Sequence, residues 1–402
     1  MALNGLPGVA ITVENGSLGR VATTKDGVAG LIVVGMSRTL IPLYTPKQIF
    51  GLKEAESLGI TQAADLADKL DTWQQIKEFY DEAGNGAELW IMTVALTRTM
   101  TELLDPNTTT NGARKLLDAA SGRIRLLGIS RYIDATVTSS QVTVSGLDED
   151  VTLALPKGHA LAIEYRNNFK PFSVIVDGRG WNGNISSLAD LRTMTHSKVS
   201  VALLTTKAAK TSAAIGLVLG RAAKIPVQRN IGRVKDGALN VGRLYYTNGA
   251  DVSTFSDAQI GQVHGKAYLT PRTLVGRTGY FLTDDPTATT ANDDYLTIAN
   301  NRVIDKALTI VYGVYVNEIN EELEISEEGK LEATKVAYFR QIITNALNLQ
   351  MLSEGEVSAV DVTIDPDQNV LANDKINIEV RVTPVGYAKE IAVSLGFRNP
   401  AA

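Results

Sequence analysis

GVAGLIVVG, residues 27–35, carries no charged side chain and is closed by a glycine at each end. A continuous apolar run this short between glycines is the pattern of a β-strand buried on both faces. Such a strand needs cover above and below, so helices are expected on either side of it. The chain supplies both in alternation. AELWIMTVA (87–95), IRLLGIS (124–130), FSVIVDG (172–178) and VSVALLT (199–205) repeat the buried-strand pattern, while TQAADLADKLDTWQQIKEFYDEA (61–83), NGARKLLDAAS (111–121) and SSLADLRTMT (186–195) read as helices. In the first of these, Leu66, Leu70, Trp73, Ile76, Phe79 and Tyr80 recur at three- and four-residue spacing, the signature of an amphipathic helix. TPKQIFGL (45–52) reads as a short helix with Thr45 as N-cap and Pro46 at the first helical position. Alternating helices and buried strands predict an α/β body around a mostly parallel sheet.

Residues 132–166 change character. ATVTSSQVTVSG and EDVTLALP alternate over short runs, so a small β insertion is expected there, dividing the body into 21–131 and 167–296. FLTDDPTATTANDDY (281–295) reads as a solvated polar loop leading to the last third. That third, 297–388, predicts an α+β domain with an antiparallel sheet. Its helices are NNRVIDKALTIVYGVYV and LEATKVAYFRQIITNALNLQML, the second with a stripe of Val336, Phe339, Ile343, Ala346 and Leu347; its strands are AVDVTI and DKINIEVRVTP. Both ends look like strands without a sheet of their own. In KEIAVSLGFRNPAA (389–402), Ile391, Val393, Leu395 and Phe397 share one side; in GVAITVE, Val9, Ile11 and Val13 do, followed by the flexible tether ENGSLGR. Residues 1–20 and 389–402 are therefore read as strand arms, docking either at home or on a neighbour.

The 402 residues suffice for two or three domains, with 44% hydrophobic content and a formal charge of -5 from 39 basic and 44 acidic side chains. No basic excess points to nucleic acid and no polybasic run to a membrane surface. The absence of cysteine removes disulfides, zinc thiolates and thiol nucleophiles. No charged leader opens the chain and no apolar run approaches the roughly 20 residues of a membrane span, so a soluble protein kept in the cytoplasm until assembly or release is expected.

The sharpest match to a catalytic motif is GRGWNG, in which Gly178, Gly180 and Gly183 satisfy G-x-G-x-x-G after a strand and before an expected helix. Against a dinucleotide site, the next strand ends in Thr205, Thr206 and Lys207 where an acid should hold the ribose, and Trp181 crowds the turn. A glycine-rich loop capped by Ser186 or Ser187 is the better reading. His159, His196 and His264 each stand alone, which favours surface or capping roles over metal binding. Asp284, Asp285, Asp293 and Asp294 lack the glycine and glutamate of a calcium loop and read as solvated charge. The run from Glu318 through Glu321, Glu322 and Glu324 to Glu327 and Glu328 reads as a solvated face or as an attachment surface for a basic partner. No catalytic, cofactor or metal site is assigned.

In their order, these segments resemble the tail sheath proteins of contractile phages and related contractile injection systems. LPGVAITVE, GVAGLIVVGMSRTLIPLYTPKQIFGL, IKEFYDEAGNGAELWIMTVA, SAAIGLVLGRAAKIPVQRNIGRV, VIDKALTIVY, the helix at 332–352, DKINIEVRVTP and AKEIAVSLGF carry the resemblance over nearly the full chain. It implies a non-enzymatic subunit that polymerises as stacked hexameric rings around an inner tail tube, contacts baseplate and tail terminator proteins, binds no nucleic acid and does not insert into a membrane. It implies assembly in the bacterial cytoplasm into a virion tail or contractile particle. The arms, through Val9, Ile11, Val13, Ile391, Val393, Leu395 and Phe397, would add strands to neighbouring subunits, and Glu318, Glu321, Glu322 and Glu324 could face the tube. The competing readings are a nicotinamide-dependent oxidoreductase using GRGWNG and another structural particle component, a capsid or baseplate protein.

Overall fold

The computed structural model describes residues 26–132, 145–208, 212–373 and 375–397. GVAGLIVVG forms the strand β1 (Ala29–Val34), whose side chains are all buried. It lies inside a seven-stranded sheet with β2 (Lys47–Ile49), β3 (Leu89–Val94), β4 (Leu126–Ser130), β5 (Ser173–Asp177), β6 (Val199–Ala202) and β7 (Tyr268–Leu269), in the spatial order β7-β6-β5-β4-β1-β3-β2. Every pairing is parallel except that of β2 with β3.

Glycines show how closely both faces are covered. A Cβ at Gly30 would lie 2.9 Å from the Ile124 side chain, and one at Gly128 would lie 2.4 Å from that of Ile215. Gly30 pairs with Leu127 in register, and Leu31 with Gly128, so the two glycines point to opposite faces. Above Gly128 runs α3 (Ile215–Lys224), which crosses α1 (Thr72–Ala83) backbone to backbone. There a Cβ at Gly216 would sit 1.8 Å from the Gln75 carbonyl oxygen, and one at Gly220 would sit 2.6 Å from that of Phe79. Only glycine permits that approach.

Four local expectations are corrected. TPKQIFGL is not helical: Lys47–Ile49 pairs as the sheet's outer strand with Leu89–Ile91, a position that tolerates the preceding proline. The helix expected over 61–83 is two helices, Gln62–Asp68 and α1, parted where Lys69 takes a left-handed φ of 55°; Leu66 is consequently exposed. EDVTLALP is the start of α2 (Glu149–Asn167), with Pro156 inside it, rather than a strand of a β insertion. Val151 and Leu155 are buried but Leu153 is 52% exposed, so the coincidental alternation of three apolar residues is resolved by the helical pair. Asp148 caps this helix by accepting from the Asp150 N–H. The other half of that expectation, ATVTSSQVTV, lies outside the described residues, as do Val9, Ile11 and Val13. SSLADLRTMT forms a single 3-10 turn, Leu191–Thr193, instead of a helix.

The last third is the expected α+β unit. α4 (Ile298–Tyr315) and α5 (Ala333–Leu347) cover an antiparallel pair, β8 (Val357–Ile364) with β9 (Ile378–Pro384). Val303, Ala307 and Ile310 of α4 meet Ile343 and Leu347 of α5 and Val357 and Val362 of β8 in one cluster. Charged side chains span the joint to the body. Lys198, at the foot of β6, donates to both oxygens of Asp305 on α4 at 2.6 and 2.7 Å. Arg302 donates to the Ile225 carbonyl at 3.1 Å, and Lys306 bridges Asp26 at 2.8 Å and Glu356 at 2.7 Å.

Candidate functional site

After β9 the chain carries no helix or sheet pairing over residues 391–397. Ile391, Val393, Leu395 and Phe397 are 78%, 78%, 95% and 109% exposed. Four large apolar side chains at period two on a solvated segment are an unusual liability, since burying each is worth roughly 1.5–3 kcal/mol. The antiparallel pair β8–β9 is a two-stranded ladder in which each strand has one edge without a described partner. Its Ile378, Val380 and Val382 alternate half-buried with exposed Glu379, Arg381 and Thr383, so an added strand would find both backbone donors and an apolar face.

The root of the segment is tied to the body. Tyr387 donates from its hydroxyl to the Gln228 carbonyl, and Lys389 Nζ lies 2.5 Å from Asp284 Oδ2. Asp284 and Asp285, expected as solvated loop charge, are 5% and 0% exposed. Asn230 Nδ2 donates to both, at 2.5 and 2.6 Å. Asp285 Oδ2 accepts from the Ala299 N–H at 2.8 Å, closing the start of α4. Burial alone would raise the Asp284 carboxyl, but Lys389 and Asn230 outweigh it and hold the group below its ordinary range. Burial, reinforced by the neighbouring Asp284 charge, pushes Asp285 well up. The environment thus drives the two acids in opposite directions, Asp284 toward the ionised form and Asp285 toward the protonated one. No local pattern announces this arrangement, whose partners come from 54 and 105 residues away.

Of the glutamates, Glu318 is half-buried and accepts from the Tyr338 hydroxyl at 3.0 Å. Glu321, Glu322 and Glu324 are exposed on the same stretch. Glu328 is engaged with Lys330 at 3.0 Å.

At GRGWNG, no helix follows, so the loop lacks the helix N-terminus on which a pyrophosphate would rest. Trp181 is buried and packs its ring against Tyr246 and Phe255. A Cβ at Gly178 would lie 2.5 Å from the Ala202 carbonyl oxygen, and Arg179 Nε is 2.9 Å from Asp148. Arg179 and Trp181 are thus turned inward, and Ser187 hydrogen-bonds to Asn182 beside them. His159 and His196 do not stand alone: their rings are 5.6 Å apart, and burial, with His196 and Lys198 nearby, takes His159 down to about 4. Among the described residues no three His, Asp or Glu side chains are grouped to hold a metal, and no helix is long and apolar enough to cross a membrane.

The α/β body joined to a small antiparallel unit is shared with solved structures of contractile sheath proteins. A chain of the helical sheath of the anti-feeding prophage, in its contracted state, superposes with a TM-score of 0.63 at 13% identity, covering 98% of this chain and 99% of that one. A chain of the same particle's baseplate gives 0.62 at 15% identity, covering 98% and 100%. The sheath tail protein of Listeria innocua gives 0.53 at 11% identity, covering 90% and 92%. The chain belongs to the DUF2586 family, whose N-terminal domain it matches over residues 6–286 and whose C-terminal domain it matches over 294–402. No curated protein sequence matches it.

Proposed function

We propose that this chain is the structural subunit of a contractile tail sheath, with no enzymatic activity of its own. The exposed apolar face of Ile391, Val393, Leu395 and Phe397 carries the reading, and the shared sheath fold supports it. The segment 389–402, and residues 1–20 with Val9, Ile11 and Val13, act as arms that add strands to the β8–β9 sheets of neighbouring subunits. Each buried Val, Ile, Leu or Phe contributes roughly 1.5–3 kcal/mol and each backbone hydrogen bond about 0.5–1.5 kcal/mol, so such a joint survives while rigid bodies turn about it. A joint between unlike surfaces propagates instead of closing on itself. The product is a set of hexameric rings stacked helically around an inner tail tube, in contact with baseplate and tail terminator proteins. Contraction is a cooperative passage from a metastable long lattice to a short one, without nucleotide fuel. Assembly takes place in the bacterial cytoplasm, and the product is a tail or injection particle with no nucleic-acid contact or membrane insertion by this chain.

The test is negative-stain microscopy of the purified protein with and without Lys389 to Ala402. Striated tubes from the full chain and none from the truncated, still folded chain are expected. Discrete soluble oligomers from the full chain, or tubes that persist after truncation, would overturn the reading.

A further inference from the structure

Two nitrogen-bearing side chains converge on one oxygen at the root of the C-terminal segment. Lys389 Nζ is 2.5 Å from Asp284 Oδ2, and His264 Nε2 is 3.8 Å from the same atom. His264 sits at the end of the helix Asp257–Gly265, half-buried, and its Nδ1 has no partner. We propose that Asp284 is a latch holding the arm root against the body, and that His264 replaces Lys389 there, so that release of the root is coupled to uptake of a proton.

Asp284 is 5% exposed, and a buried carboxylate that loses its cation is costly unless another arrives. Lys389 is the one partner able to leave, since its side chain is 48% exposed and belongs to the chain's trailing segment. Asn230 supplies only a neutral amide. The groups facing His264 are Asp284, Lys389, Arg192 and Arg272. With Lys389 docked, burial and the three cations hold the imidazole below its usual range against the pull of Asp284. Departure of Lys389 removes one repulsion and leaves the carboxylate unpaired, so the imidazole gains affinity for a proton in the released state. By linkage, acid then favours release, by up to about tenfold per pH unit for one proton. The proposal rests on reading 389–402 as an arm, because only then does freeing its root matter to assembly.

The chain has no cysteine, so a spin label on Ala388→Cys, an exposed position, reports root mobility in the full chain. An immobile spectrum near pH 8 that gains a mobile component severalfold toward about pH 5.5 is expected. His264→Gln should abolish that gain, and Asp284→Asn and Lys389→Met should be mobile at both pH values. The His264 ring proton, followed by NMR, should titrate at higher pH in Lys389→Met than in the parent. A parent spectrum independent of pH, a His264→Gln protein that keeps the response, or an immobile Lys389→Met root would each overturn the latch. If Asp284→Asn fails to melt cooperatively, Lys389→Met, altered at a half-exposed side chain, decides the matter alone. None of these readings requires tubes, so absence of tubes counts against the sheath function without touching the latch.

Discussion

Leu31, Ile32, Val33 and Val34 of β1 and Ile391, Val393, Leu395 and Phe397 of the C-terminal segment are the same kind of side chain in opposite surroundings. The first four are at most 1% exposed; the last four are at least 78% exposed. β1 is enclosed by β3 and β4 in the sheet plane and by helices on both faces. The terminal segment has a fixed root and no cover. If the proposed arm is right, a chain that buries one apolar strand as thoroughly as β1 and leaves another in water divides its work between a body with its own core and a joint completed by another surface.

The largest effects should come from the body. Gly216→Val would drive a side chain into the Gln75 carbonyl, where even a Cβ falls at 1.8 Å, and α1 and α3 could not both keep their places. A loss above about 4 kcal/mol, or failure to fold, is expected by thermal or denaturant unfolding. Val393→Lys with Leu395→Lys is the opposite case: unfolding should stay within about 0.5 kcal/mol of the parent while tubes disappear from electron micrographs. A cooperative loss of stability in the double lysine protein would mean that the segment docks at home, and the contrast between the two regions would fall.

Between body and terminal unit, the joint through Lys198 and Asp305 should give the next largest change. Both side chains are buried, at 1% and 5% exposure, and burial pulls Lys198 down against the attraction of Asp305. Asp305→Ala leaves a buried ammonium without the carboxylate it donates to and should cost about 3–5 kcal/mol. Lys198→Met with Asp305→Leu should recover most of that loss. If the single variant melts like the parent, the two regions are not coupled through this pair.

The body was legible in the sequence because its strands are covered on both faces, and continuous apolar runs such as GVAGLIVVG and IRLLGIS have few alternative readings. The antiparallel pair β8–β9 was legible for the complementary reason: one half-covered face leaves a clean alternation from Ile376 to Thr383. Where burial depends on distant residues the sequence is silent. Asp284 and Asp285 look like any acidic loop until Asn230, Ala299 and Lys389 are brought to them. The pattern at Val151, Leu153 and Leu155 failed differently, because period two and the i,i+4 spacing coincide over five residues and only the cap at Asp148 separates them. Of the interface candidates, the exposed face of the terminal segment could be named from alternation alone; the fixed root beside it could not.

A pH dependence distinguishes the body again. Asp177, at the end of β5, is fully buried, and burial pushes it up to about 7 against the N–H groups of Ala213 and Arg131 and the Arg179 charge. An unfolded aspartate titrates near 3.9, so between about pH 4 and 7 the folded state holds a proton that the unfolded chain has lost. The contribution is therefore full below about pH 4 and is lost as the pH rises to about 7, with a limiting size on the order of 4 kcal/mol. Asp285, also raised by burial, has the same sign. Asp177→Asn should flatten part of the decline in unfolding free energy over that window. An unchanged slope would mean that Asp177 stays ionised.

The smallest effect concerns the exposed end of the terminal unit. Glu321, Glu322 and Glu324 are solvated, and single pairs between exposed charges are worth about 0–1 kcal/mol. If they face a basic tube, several weak attractions act together, and all are screened once the Debye length falls to about 10 Å at 0.1 M salt. Co-sedimentation of subunit with tube should then drop severalfold between about 0.05 M and about 0.5 M salt, and replacing the three by Gln should weaken binding at low salt and remove most of the salt response. Glu318 should matter less to this response, because its carboxylate is already committed to the Tyr338 hydroxyl. The terminal arm supplies the internal control, since an apolar strand joint does not weaken with salt: tubes of subunit alone should persist where the subunit leaves the inner tube. Binding to the inner tube that is indifferent to salt would return these glutamates to the role of a solvated face and leave the arm as the only assembly surface of the terminal unit.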